Sequence, residues 1–408
     1  MPWLSDLKNT LQKLGQPEKP RAPRRPVTGV TAHYGIGPAT TPAAIKDISS
    51  SGIFLITQER PSVGELVTLM LRVEGDPEKT SELQFTLHAR VVTYGEDGIG
   101  LAFVLPSGMD MSLWTVLLRN IVELDDPVQV KEAFRNLRMI LFVCRLCQSE
   151  AEETIGLLGG QLDVEHTLTL FKIVFAAENQ IVAERDAGRM RVHPKLLASI
   201  LREGAWAPDD LIRQLWTGLL VSSCALEAPD DSNRIFVELL VHMTSTEGKI
   251  FSLACSRALA AAPGGGNSAN DSIVLTPAEM ARLTGVNDPY RNATDLAYLF
   301  NLGLIEKVFD FTSYHQADSF DITPSRLGLA LYKHCHGNRD KIEPDILESA
   351  TQHLANFLPS AQPLSVDSGA SPSLSLSGAE AAPQAEGAHS AREIGDAATG
   401  PGAIDTRG

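Results

Sequence analysis

The spacing of apolar residues changes once along this chain, near residue 127, and that change limits the fold more than any single motif does. Between 27 and 104, VTGVTAHYG, AAIKDI, GIFLIT, ELVTLMLRVE, LQFTLHARVVTYG and GIGLAFVL are short runs rich in β-branched and aromatic residues. Clusters of Gly, Pro, Asp and Ser separate them. Short strands with turn signals between them predict a small antiparallel barrel or sandwich. DMSLWTVLLRNIVEL then closes the unit as one amphipathic helix. From 127 to about 358 the period is helical, as in VKEAFRNLRMILFVCRLC, LTLFKIVFAAENQIVAERD, DLIRQLWTGLLVSSCAL and NRIFVELLVHMTST. Apolar residues three and four apart predict helices that bury one face. Pro194, Pro208, Pro277 and Pro324 read as first-turn residues, and Thr276 with Glu279 as a capping box.

The flanks are of another kind. Trp3, Leu4, Leu7, Leu11 and Leu14 predict a short amphipathic helix over 1–15, followed by the proline-rich, basic QPEKPRAPRRP. Residues 359–408 are rich in Ala, Gly, Ser and Pro, with no aromatic residue after Phe357. Such a tail cannot bury enough apolar surface to offset its ordering entropy, so disorder is expected there. A chain of 408 residues suggests two or three domains. The linker PGGGNSAND, near 263–271, divides the helical part internally.

Charge narrows the choice of partner. The 35 Lys and Arg against 50 Asp and Glu leave a net charge of -15, which argues against broad binding to nucleic acid or anionic membrane but leaves room for a local basic site. Five cysteines, an odd number, do not make a secreted disulfide framework. No window reaches the roughly 18 apolar residues of a membrane span, and MPWLSDLKNTLQKLG lacks the parts of a signal peptide. A cytoplasmic protein without a transmembrane segment is the expectation.

The residues suited to chemistry lie at the start of the β unit. Arg21, Arg24 and Arg25 sit in the proline-rich loop, with Arg21 and Arg25 at R-x-x-x-R spacing. After them comes Asp47-Ile-Ser49-Ser-Ser-Gly52, a D-x-S-x-x-G turn between two predicted strands. Arginine forks suit phosphate oxygens and the O6/N7 edge of guanine, and their planes stack on bases. A carboxylate accepts from the N–H groups of guanine, and Gly52 lets a ligand approach the backbone. Together the two elements suit an anionic, guanine-containing ligand. Either alone is ordinarily a solvated cluster or a plain turn.

These two motifs in order, with a compact β unit ending in Gly-Ile-Gly-Leu-Ala-Phe (98–103) and a helix, resemble the PilZ family over residues 20–124. The resemblance implies a small β-barrel that binds the second messenger cyclic di-GMP. Arg21 and Arg25 would grip its phosphates and guanine, while Asp47, Ser49 and Gly52 read the base. The stretch Gly35–Pro42 is richer in Gly and Pro than the family pattern. Residues 273–337 run helix, helix, hairpin, helix and resemble a winged-helix module. The stretch before them resembles abortive-infection (Abi-alpha) proteins.

A winged helix usually implies DNA, but the second helix pairs Arg291 with Asp288 and Asp295, and the hairpin sets Asp310, Asp318 and Asp321 against Lys307. A module without a basic face binds DNA poorly, so DNA binding is not expected and an unidentified protein partner is. Cys144 and Cys147 form C-x-x-C inside an apolar helix and read as buried thiols rather than metal ligands. His334, Cys335 and His336 read as capping or surface residues at a helix end. No nucleophile with its base, P-loop or carboxylate pair is visible, so no enzymatic role, catalytic residue, metal or cofactor is expected.

The expected architecture is an α+β multidomain chain. It comprises a short amphipathic helix and linker (1–19), a PilZ-like barrel (20–126), a helical domain (127–262), a winged-helix-like helical subdomain (272–358) and a disordered tail (359–408). The expected function is that of a cyclic di-GMP receptor whose helical part is the output. The alternative is a transcription regulator or phage-defence protein acting through the winged-helix-like module.

Overall fold

The computed structural model describes residues 26, 29–35, 40–73, 83–106, 109, 111–122, 126–151, 154–155, 164–184, 186–226, 231–261, 272–306 and 319–357. Six antiparallel strands come first: β1 (Val30–Gly35), β2 (Thr41–Ser49), β3 (Gly52–Ile56), β4 (Leu66–Val73), β5 (Gln84–Tyr94) and β6 (Gly98–Val104). They close into a barrel of order β1-β2-β3-β6-β5-β4. Closure comes from β1, which pairs with β4 from Val30↔Val73 to Gly35↔Thr68 as well as with β2. Alternate residues fill the interior. Val67, Leu69, Leu71 and Val73 of β4 face Phe85, Leu87, Ala89 and Val91 of β5, all buried. The barrel, rather than the sandwich, is what the sequence pattern left to be decided.

Helix α1 (Met111–Val122) caps the barrel with Trp114, Leu117, Leu118 and Ile121, a buried stripe at helical spacing. Helix α2 (Pro127–Cys147) starts at Asp126, whose side chain accepts from the Val128 amide. It lies against β4 and β5, and Phe134 meets Phe85 of the barrel with ring centroids 5.2 Å apart. The buried core is therefore continuous from the barrel through α2 into the helices beyond.

Those helices are α3 (Val164–Val182), α4 (Pro194–Gly204), α5 (Asp210–Ser222), α6 (Arg234–Val241), α7 (Ser245–Ala261), α8 (Pro277–Thr284), α9 (Pro289–Asn301), α10 (Arg326–His334) and α11 (Pro344–Phe357). Pro194 and Pro277 open their helices as expected. Pro208 and Pro324 do not. Each stands one residue ahead of a capping side chain: Asp209 accepts from the Ile212 amide and Ser325 from the Gly328 amide. A side-chain acceptor fixes the first turn more strongly than a preset φ does. The Thr276–Glu279 capping box is present in full. Arg339, just beyond α10, grips both carboxylate oxygens of Glu184 at 2.6 and 2.8 Å and the Val221 carbonyl at 3.1 Å. That clamp ties together segments far apart in sequence.

Ahead of α8, β7 (Val274–Leu275) pairs with β8 (Phe320–Asp321), and Ile305 bridges Pro324. Of the expected hairpin only this one bridge is seen, and residues 307–318 lie outside the described part. The helix over 1–15, the linker near 263–271 and the tail 359–408 lie outside it too. His334 and Cys335 correct the reading of a surface helix end. Both are buried, and His334 places its ring nitrogens 2.9 and 3.1 Å from the Ala330 and Asp340 carbonyls. Only His336 of that trio is exposed.

All five cysteines are free and buried. Burial pushes the thiols of Cys147 and Cys224 up to about 11 and about 12, which keeps them protonated and unreactive. Among the described residues no cluster could hold a metal ion, and no helix is long and apolar enough to cross a membrane.

One buried carboxylate sets a pH dependence. Glu247, 4% exposed on α7, is held above the usual carboxylate range by burial, opposed by the Thr244 amide, with the charge of Asp295 adding to the rise. Burial likewise raises Asp295 on α9, against the charge of Arg291. A raised carboxyl binds its proton more tightly in the folded than in the unfolded chain. Its contribution is thus full below the unfolded value and is lost as pH rises through the folded one. Glu247→Gln keeps the acceptor for Thr244 and removes the charge. The variant is expected to exceed wild type in stability at pH 8 by an amount on the order of 1 kcal/mol. The advantage should shrink as pH falls toward 4. Urea titrations at both ends test this, and a variant less stable at pH 8 overturns it.

Candidate functional site

The D-x-S-x-x-G motif forms the tip of the β2–β3 hairpin. Ser49 pairs with Gly52 across a turn made only of Ser50 and Ser51. The inward residues are Ile48 and Ile53, both 3% exposed. By the two-residue period of a strand, Asp47 and Ser49 therefore share the outer face of β2. A register shift between Ile45 and Asp47 makes Lys46 a bulge residue, which re-aims the strand just before the motif. Lys46 binds both carboxylate oxygens of Asp97 at 2.7 and 3.0 Å, holding that carboxyl below its ordinary range. Its ammonium also lies 5.3 Å from the centre of the Phe54 ring.

Four contacts fix the turn itself. The Ser49 hydroxyl donates to the Gly52 carbonyl at 3.2 Å and lies 3.3 Å from that of Ser51. The Trp114 indole of α1 donates to the Ser50 carbonyl at 2.8 Å, and the Phe103 amide to the Ser51 carbonyl at 3.1 Å. Trp114 also meets Phe103 edge-on, centroids 5.1 Å apart. Gly52 is required by space: a Cβ there would sit 2.1 Å from the Leu101 carbonyl oxygen. The same face of β6 carries Gly98, Gly100 and Ala102, and a Cβ on Gly98 would meet the Leu55 carbonyl oxygen at 1.9 Å. The outer face of β6 beside the motif is thus closely covered: the Phe54 ring and the Thr93 side chain lie over Gly98 and Gly100, both buried, and Ala102 is half-buried.

Asp47, Ser49 and Gly52 are brought together by the hairpin, while Arg21, Arg24 and Arg25 lie outside the described residues. β1 runs antiparallel to β2 with Ala32 facing Ala43, so the start of β1, at Val30, lies toward the Asp47 end of β2, the end of the barrel that holds the turn. The supporting residues that sequence reasoning missed are Lys46, Phe54 and Trp114. For Trp114, the signal was a lone Trp in the helix that closes the strand unit.

Comparison with known proteins gives two matched segments. Residues 18–119 match the model of the PilZ domain, and residues 168–337 match that of abortive infection alpha. No curated protein matches the chain. The solved structure of the Borreliella burgdorferi PlzA protein in complex with c-di-GMP is 20% identical, with a TM-score of 0.19. That similarity covers 28% of this chain and 55% of the other, so the chain spans about half the length of that protein. The chain thus joins a barrel segment that matches the PilZ domain to a helical segment that matches abortive infection alpha.

Proposed function

We propose that the barrel is a receptor for cyclic di-GMP and that the helical part relays its occupancy to a protein partner. One observation carries this reading: Asp47 and Ser49 share an outer face at the barrel end where β1 begins, five residues after Arg25 in sequence. The match of residues 18–119 to the PilZ domain supports it. In this reading the arginines hold the phosphates and stack on guanine, and Asp47 accepts from the guanine N–H groups. Because the turn is bonded to α1 and the core continues into α2, a change at the turn has a packed route to the helices.

Calorimetric titration of the full chain tests the assignment. Saturable binding of cyclic di-GMP is expected, with cyclic di-AMP weaker by about a hundredfold, the size of two lost base-edge hydrogen bonds. Equal affinity for the two dinucleotides, or no heat with either, would refute it.

A further inference from the structure

A cavity lies away from the motif, between the barrel and the first helical layer. Its volume is about 570 Å³, within the usual range for small-molecule sites. Val104 of β6, Leu141 of α2 and Val182 of α3 give it apolar walls, and Arg138, Arg145 and Glu178 give it charge. One carboxylate serves two guanidinium groups here. Glu178 accepts from Arg138 Nε at 2.7 Å and reaches Arg145 Nη1 only at 3.9 Å. Arg145 Nε and Nη2 are buried and have no hydrogen-bond partner. A buried cation short of acceptors costs free energy. The rings of Phe142 and Phe175 lie 5.4 and 4.3 Å from the guanidinium carbons of Arg145 and Arg138, so both planes are already oriented.

We propose that this cleft is a ligand site separate from the D-x-S-x-x-G turn, taking a small organic anion with an apolar body and a single phosphate or carboxylate head. The head binds Arg145, and the body lies against Val104, Leu141 and Val182. Burial lowers the proton affinity of Arg145, opposed by the charge of Glu178, as expected for a cation short of counter-charge. An occupant would touch barrel and helices at once and so bias how they pack.

The probe is 1-naphthyl phosphate, titrated into the full chain by calorimetry, with 1-naphthoate, 1-naphthol and inorganic phosphate as comparisons. One-to-one binding of an aromatic anion is expected, at least tenfold tighter than naphthol or inorganic phosphate. The naphthyl phosphate and naphthoate arms tell which head is preferred. Arg145→Gln should weaken binding tenfold or more. Asn179→Trp, at an exposed position lining the cleft, should block it without disturbing the core, and it decides the matter if Arg145→Gln fails to fold. Arg25→Ala should leave naphthyl phosphate binding unchanged, which separates this site from the proposed nucleotide site. No saturable binding of either anion up to about 1 mM, equal affinity for naphthol, or wild-type affinity in Asn179→Trp overturns the proposal.

Discussion

Arg21→Ala and Arg25→Ala are each expected to weaken cyclic di-GMP binding by ten- to a hundredfold while the barrel melts as before. A hydrogen bond to a charged group is worth about 1.5–3 kcal/mol, and every 1.4 kcal/mol is about tenfold in affinity. Both arginines precede the first described strand in sequence, and substitutions outside the packed core stay within about 0.5 kcal/mol of wild type. Asp47→Ala should act chiefly on the choice of base, reducing the preference for cyclic di-GMP over cyclic di-AMP in competition. Hydrogen exchange gives an independent reading: ligand should protect residues 45–55 and the segment bearing the arginines together. Wild-type affinity in either arginine variant would take that residue out of the site. A loss of affinity accompanied by a lower melting point would instead mark it as part of the fold.

The six strands and the change to helices were legible because burial imposes its period directly on the side chains. Runs such as LVTLMLRV place every second residue in the barrel, and that requirement survives in any order of strands. Closure was not legible. The pairing of β1 with β4 depends on strands distant in sequence, and period alone fits a sandwich equally well. The motif was visible as Asp47, Ser49 and Gly52, but its supports were not. Lys46 looked like the next residue of a strand, and only the register shows it to be a bulge. Trp114 looked like one more apolar position of a closing helix, whereas its N–H is committed to the Ser50 carbonyl. The clamp between Arg339 and Glu184 was hidden for the same reason, since charged residues far apart in sequence carry no periodic trace of their pairing. His334 misled because its position at a helix end suggests solvent, while the following segment turns back and covers it.

Trp114 is where stability and the candidate site meet, and its substitution should have the largest effect on the fold. The side chain is fully buried against Phe103 and is the link from α1 to the turn. Trp114→Ala removes a large apolar surface and leaves a cavity, and such changes cost about 3–5 kcal/mol. Against a typical domain stability of about 5–15 kcal/mol, that is a severe loss. Urea unfolding should show a lower midpoint, and a shift below about 1 kcal/mol would mean that α1 does not hold the barrel. Trp114→Phe separates the two roles. It keeps most of the apolar contact but leaves the Ser50 carbonyl without its donor, at a cost of about 1–3 kcal/mol. The amides of Ser51 and Gly52 should then exchange faster, since the turn loses one of the bonds that hold it from outside the hairpin. If the turn must be preorganised to read a base, cyclic di-GMP affinity should fall in Trp114→Phe even at temperatures where the chain remains fully folded. Unchanged exchange at Ser51 and Gly52 together with unchanged affinity would show that the remaining bonds, from Ser49 and the Phe103 amide, suffice to hold the turn, and that α1 stabilises the barrel without tuning its site.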